Sequence, residues 1–202
     1  MNKSDFERQM DFCKEIDKEK FVKRQTYISD GITKENDAEH AWHMAVMAMV
    51  LEEYSNDKID LLKVISMILI HDIVEIDAGD TYAYDEQGKE SQQNREGKAA
   101  DRIFNILPEK QALKFLNLWK EFEAGTSAEA RFARALDNFQ PVMLNNMTEG
   151  KSWEERGVKL SQILNRNKNT PLGSEKLWQY SYENFIKPNV NKGRIDFDLD
   201  EK

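Results

Sequence analysis

A chain of 202 residues is long enough to bury one core without help from disulfides or a structural metal, so a single domain is expected. With 40% hydrophobic and 33% charged residues it suits a folded, heavily solvated globule and excludes disordered and membrane-embedded classes. The formal net charge of −8 repels a long polyanion, which excludes duplex nucleic acid as a partner, whereas a small phosphate-bearing ligand could be neutralised locally by a metal and one arginine.

Apolar residues recur at helical rather than alternating spacing, and four prolines and nine glycines are few, so the fold class is all-α with no competing strand pattern. In chain order the predicted helices cover about 4–20, 38–55, 58–75, 91–106, 108–123, 127–146 and 174–187. Asp37 is expected to open the second helix and Asp57 the third; Pro108 suits a first helical position, and Thr126 or Ser127 precedes the sixth. The third segment becomes apolar nearly all round towards Ile70 and belongs in the centre of the bundle. Between 77 and 93 the chain is polar, with Gly79, Gly88 and two tyrosines, as in a long connection serving as an active-site lid. Residues 1–187 form the expected domain, and the acidic segment 188–202 is expected to fray.

Cys13 is the only cysteine, which rules out an intramolecular disulfide or a thiolate zinc cage and suits a cytoplasmic address. The N-terminal residues lack the apolar stretch of a signal peptide, and the most apolar segment, 64–70, is far too short to span a bilayer.

All three histidines fall between positions 40 and 71. An ionised Asp72 at the end of so apolar a helix needs a cation, a set of donors or a metal, and His71 beside it supplies an imidazole. His40 shares a helix face with Met44, Met47 and Leu51 and should point inward. A further carboxylate, Asp137, sits among apolar neighbours, and Pro141 cannot donate to its carbonyl, so the helix should bend or open there. Two imidazoles and two carboxylates suit one divalent ion, with Mn, Co, Zn, Ni, Fe and Mg left open. The tryptophans are expected in the core or at a subunit contact.

His40, His71-Asp72 and Asp137 together reproduce an H…HD…D signature. The stretches Glu35-Asn-Asp-Ala-Glu-His-Ala-Trp-His43, Ile70-His-Asp-Ile-Val-Glu-Ile-Asp-Ala-Gly-Asp-Thr81, Arg131-Phe-Ala-Arg-Ala-Leu-Asp-Asn-Phe-Gln-Pro141 and Leu177-Trp-Gln-Tyr180 resemble the HD-domain phosphohydrolases, in the bacterial branch related to 5'-deoxynucleotidases. The resemblance implies a helical bundle around a single metal, often as a homodimer. It also implies Glu75 beside the attacking water, Asp80 near substrate and leaving group, and Arg24 with Tyr27 on phosphate and sugar. The relatives use tryptophan near this last point, where this chain reads Arg24-Gln-Thr-Tyr27. His43 reads as a supporting or substrate-side residue, or as plain packing, and Asp77 as a pocket carboxylate or a solvated loop residue. The implied activity is hydrolysis of (deoxy)nucleoside 5'-monophosphates. A nucleotide phosphodiesterase or pyrophosphohydrolase and a non-catalytic nucleotide-binding module are the alternatives.

Overall fold

The computed structural model describes residues 3–199, apart from the side chains at 86, 87, 89 and 90. Helix α1 (Asp5–Glu15) opens on a capping box in which the Ser4 hydroxyl accepts from the Glu7 amide and the Glu7 carboxylate accepts from the Ser4 amide. A tighter helical turn, Ile16–Phe21, carries the chain into β1 (Lys23–Tyr27), which pairs antiparallel with β2 (Lys34–Asn36). This ribbon corrects the expectation of no strands. Its residues are too polar to alternate visibly, and its turn is set by Asp30, whose carboxylate accepts from the Ile32 and Thr33 amides.

Helix α2 (Asp37–Leu51) is capped by Asn36 with Glu39, one residue earlier than expected, which releases the Asp37 side chain into the interior. Helix α3 (Leu61–Ile70) starts behind Asp60, not Asp57, which instead pairs with Arg131 at 2.7 Å. The predicted third helix breaks at Ile70 into a tight turn, His71–Val74, followed by α4 (Glu75–Ala78), which ends at Gly79 with φ 73°. Helix α5 (Glu86–Phe104) begins earlier than predicted, so the expected lid shrinks to 79–85. Helices α6 (Glu109–Ala124) and α7 (Ala128–Met147) follow: Pro108 stands at the cap of α6, one place before the first helical position expected for it, Ser127 caps α7 as expected, and α7 continues through Pro141 rather than opening there.

Three short helices not anticipated come next: α8 (Lys151–Arg156), α9 (Leu160–Asn167) and α10 (Thr170–Gly173). Helix α11 (Glu175–Ser181) continues through a widened turn, Tyr182–Ile186, into α12 (Lys187–Asn191). Beyond Pro188 the chain is held rather than frayed. Ile195 is buried, the Leu160 amide donates to the Asp196 carbonyl at 2.8 Å, and Asp198 accepts from the Ser161 amide. Residues 200–202 of that segment lie outside the described residues.

Three apolar clusters make the interior. Met44, Val64, Met67, Ile68, Phe132 and Leu136 centre the first, where α7 packs on α2 and α3. Ile73, Val74, Ile103, Phe104 and Trp119 centre the second, and Val142, Trp153, Ile163, Ile186 and Ile195 the third. Complete burial of each large aliphatic or aromatic side chain contributes about 1.5–3 kcal/mol. Phe122, Val74 and Val142 belong to different clusters, yet all three line one cavity, so the site occupies the seam where the clusters meet.

Candidate metal centre

Each helix delivers its polar residue to the seam for a local reason. On α2 the inward stripe carries His40 with Met44 and Met47, all three buried. The tight turn after Ile70 swings His71 and Asp72 off the end of α3, and α7 presents Asp137 towards them. Ligand atoms of His40, His71 and Asp72 lie within 4.8 Å of one another, and these three could hold a metal ion. Asp137 Oδ1 sits 3.2 Å from His40 Nε2 and 3.8 Å from His71 Nε2.

The imidazoles are oriented from behind. His71 Nδ1 donates to the Ile68 carbonyl at 2.6 Å, which places its lone pair on Nε2, and that buried nitrogen has no hydrogen-bond partner. His40 Nδ1 donates to Oε1 of Gln140 at 3.0 Å, so its Nε2 likewise faces the cluster. The Gln140 amide nitrogen donates in turn to Glu35 Oε1 at 2.6 Å and to His43 Nδ1 at 3.1 Å. Two imidazoles fixed with Nε2 inward, one of them unpartnered, beside two carboxylates form a donor set that fits a divalent cation.

Arg24 runs along the other side. Its Nη1 donates to Asp72 Oδ2 at 2.7 Å and to Asp37 Oδ1 at 3.2 Å, and its Nε lies 3.5 Å from Glu35 Oε2. Burial works against an ionised Asp72, but His71 and Arg24 hold its carboxyl far below the usual carboxylate range. Burial also works against an ionised Asp137, but the neighbouring His40 and His71 and the charge of Arg166 hold its carboxyl well below its ordinary value. Asp137 Oδ2 is engaged by Arg166 at 3.1 Å. Burial, then the charges of Asp72 and Asp37, push Glu75 well above the carboxylate range, and its Oε2 is unpartnered. Asp80 is raised chiefly by burial, and Asp37, pushed up to about 7, chiefly by burial and Asp72.

A cavity of about 400 Å³ opens onto this centre and is lined by Arg24, Asp72, Glu75, Asp80 and Asp137 among others. Three expected substrate-side residues do not line it. Tyr27 turns away, with its hydroxyl donating to Glu155 at 2.9 Å and its ring beneath Lys34, whereas Arg24, Gln25 and Thr26, on the irregularly paired stretch of β1 before it, line the cavity. Asp77 is exposed and paired with Arg102, two residues and so about half a helical turn from Glu75. His43 stands behind His40 on Gln140. Residues not anticipated are Glu35, Asp37, Gln140 and Arg166. Gln140 was findable, as a polar residue one turn beyond Asp137 on an otherwise apolar face.

A helical bundle whose interior joins two imidazoles, the carboxylate following one of them and a distant aspartate defines a histidine-aspartate metal-site protein. A model of the HD domain family matches residues 16–178, and the chain belongs to that family. The human 5'-deoxynucleotidase HDDC2 is 30% identical over 135 residues, covering 66% of this chain and 65% of that protein, so the match spans just under two thirds of the human relative. The Xenopus laevis 5'-deoxynucleotidase HDDC2 is 31% identical over 157 residues, 77% of this chain and 76% of that one. The crystal structure of a predicted metal-dependent phosphohydrolase from Magnetospirillum magnetotacticum MS-1 is similar with a TM-score of 0.91, at 43% identity over 96% of both chains.

Proposed function

We propose that this protein is a metal-dependent phosphomonoesterase acting on (deoxy)nucleoside 5'-monophosphates. The observation that carries the reading is the unpartnered, buried Glu75 carboxylate oxygen beside the His40, His71 and Asp72 cluster in one cavity. The likeness to proteins named 5'-deoxynucleotidase supports the substrate class.

His40, His71, Asp72 and Asp137 would hold one divalent ion, drawn from Mn, Co, Zn, Ni, Fe or Mg. When bound, such an ion polarises a phosphoryl oxygen and lowers the pKa of water. Glu75 orients the attacking water and takes its proton; a carboxyl raised above its ordinary range is better matched to that task near neutral pH. Asp80, raised by burial, carries a proton to the leaving oxygen. Arg24 keeps Asp72 ionised and turns its remaining N–H groups to the phosphoryl oxygens.

Among the described residues no helix is long and apolar enough to cross a membrane. The lone Cys13 supports a cytoplasmic address. A homodimer is supported by Trp42, Val46, Met49 and Val50, which form an exposed apolar stripe at helical spacing on α2, opposite its buried face. Release of inorganic phosphate from a panel of ribo- and deoxyribonucleoside 5'-monophosphates, after stripping and reloading with single metals, tests the activity. Turnover that depends on metal and is lost in Asp72→Ala is expected. Its absence with every metal, in folded protein of confirmed metal content, overturns the reading.

A further inference from the structure

The cavity continues well past the metal centre. On α7 the residues Asp137, Asn138, Pro141, Val142 and Asn145 all line it, so one helix face forms its floor. At the rise of an α-helix, Asn145 stands about 12 Å along that floor from Asp137. Tyr82 and Tyr84, packed edge to face with ring centroids 5.3 Å apart, form an aromatic wall of the same cavity, which Trp153, Gln25 and Ser152 also line. Arg156 pins the wall, stacking its guanidinium 4.5 Å from the Tyr82 ring centroid and donating to the Gln25 side-chain oxygen.

Two polar atoms here are buried without partners: Asn145 Oδ1 and the Tyr82 hydroxyl. Asn145 is 7% exposed, and its amide nitrogen is committed to the Pro141 carbonyl at 2.8 Å. A carbonyl can only accept, so that contact fixes the amide orientation and leaves the free atom as an acceptor. A buried acceptor without a donor costs stability and is retained where a ligand completes it.

We infer that Asn145 is a specificity-determining residue, whose Oδ1 accepts a hydrogen bond from an N–H of a nucleobase seated against the aromatic wall. Resting on the nucleotide reading, this assigns the part of the substrate farthest from the phosphoryl group to the stretch of the cavity about 12 Å along α7 from Asp137. The chemistry selects the ligand: aromatic side chains suit a planar heteroaromatic ring, and a lone acceptor suits a ring bearing N–H donors.

Titration calorimetry on metal-loaded wild type, Asn145→Ala and Tyr82→Phe tests it with four deoxynucleosides lacking phosphate, with deoxyribose 5-phosphate lacking a base, and with inorganic phosphate. Expected is a loss of about five- to tenfold in affinity for at least one deoxynucleoside in Asn145→Ala, with phosphate and deoxyribose 5-phosphate unchanged. Tyr82→Phe, which removes only the unpartnered hydroxyl, is expected to weaken the same nucleoside and carries the comparison if Asn145→Ala does not fold. No nucleoside binding by the wild type, equal binding by wild type and variants, or an equal loss for deoxyribose 5-phosphate overturns the inference. Nucleoside binding through Asn145 without monophosphate hydrolysis would remove the proposed activity and leave this site standing. Hydrolysis that is indifferent to Asn145, with unchanged nucleoside binding, would do the reverse.

Discussion

Gln140 holds His40 from behind at 3.0 Å, and through it a side chain that touches no metal-facing atom decides which nitrogen of the imidazole faces the centre. Such supporting contacts typically account for 10–100-fold in metal affinity. Gln140→Leu keeps the volume but removes both the acceptor for His40 and the donor for Glu35. Zinc or manganese affinity, measured by competition with a chelator, is expected to fall by about one to two orders of magnitude, with secondary structure retained. Unchanged affinity would show that the His40 tautomer is set elsewhere.

Glu75 lies three residues beyond Asp72, across the break between the tight turn and α4, and faces the same cavity. Glu75→Gln preserves shape and removes the base. Turnover of a 5'-monophosphate should fall by about 10²–10⁴-fold while metal content stays the same. The wild-type rate should rise with pH as the raised carboxyl ionises, and that rise should vanish from the residual rate of the variant. Retained turnover would remove Glu75 from the chemistry.

Glu19, in the turn after α1, is buried with Oε1 unpartnered, and burial followed by the charges of Asp72 and Asp37 pushes it up to about 7. The folded state therefore binds this proton more tightly than the unfolded chain, where the carboxyl keeps its ordinary value near 4.5. Its stabilising contribution is full below about pH 4.5 and is lost as pH rises through 7, amounting to about 3 kcal/mol. Glu19→Gln removes the titration. In urea unfolding of metal-free protein the variant should gain on the wild type between pH 5 and pH 8. Parallel stability curves would contradict this origin of the shift.

Much of this was legible because helical periodicity survives in long elements. His40 with Met44 and Met47, and the apolar run into His71-Asp72, are read correctly from spacing alone, and both lead to the observed cluster. The illegible parts are short or reversed. Helices α8 and α10 span too few residues to display a period, and the β1–β2 ribbon is polar on both strands. Asp37 is a good cap in composition, but Asn36 takes the role and Asp37 becomes a buried partner of Arg24. Arg24 itself is tied to three carboxylates, a contact set that no local pattern encodes.

Helix α10 shows what such a short element contributes. It packs against α7 two turns before Asp137, and a Cβ built on Gly173 would overlap the backbone carbonyl of Arg131 and crowd the Ala135 side chain. Backbone cannot yield as the end of a flexible side chain can, so α10 must move away from α7. The Ser174 hydroxyl bond to the Tyr54 carbonyl at 2.6 Å and the Asn56 amide bond to the Gly173 carbonyl at 3.1 Å would move with it. Gly173→Ala is therefore expected to destabilise at the upper end of the range of about 1–3 kcal/mol seen for overpacking, with a matching fall in the urea midpoint. Because Gly173 lies outside the lining of the cavity, the surviving folded protein should keep its metal affinity. A stability loss below about 0.5 kcal/mol would mean that α10 tolerates displacement, whereas loss of metal affinity in folded protein would mean that the α7 backbone, and Asp137 with it, had shifted instead.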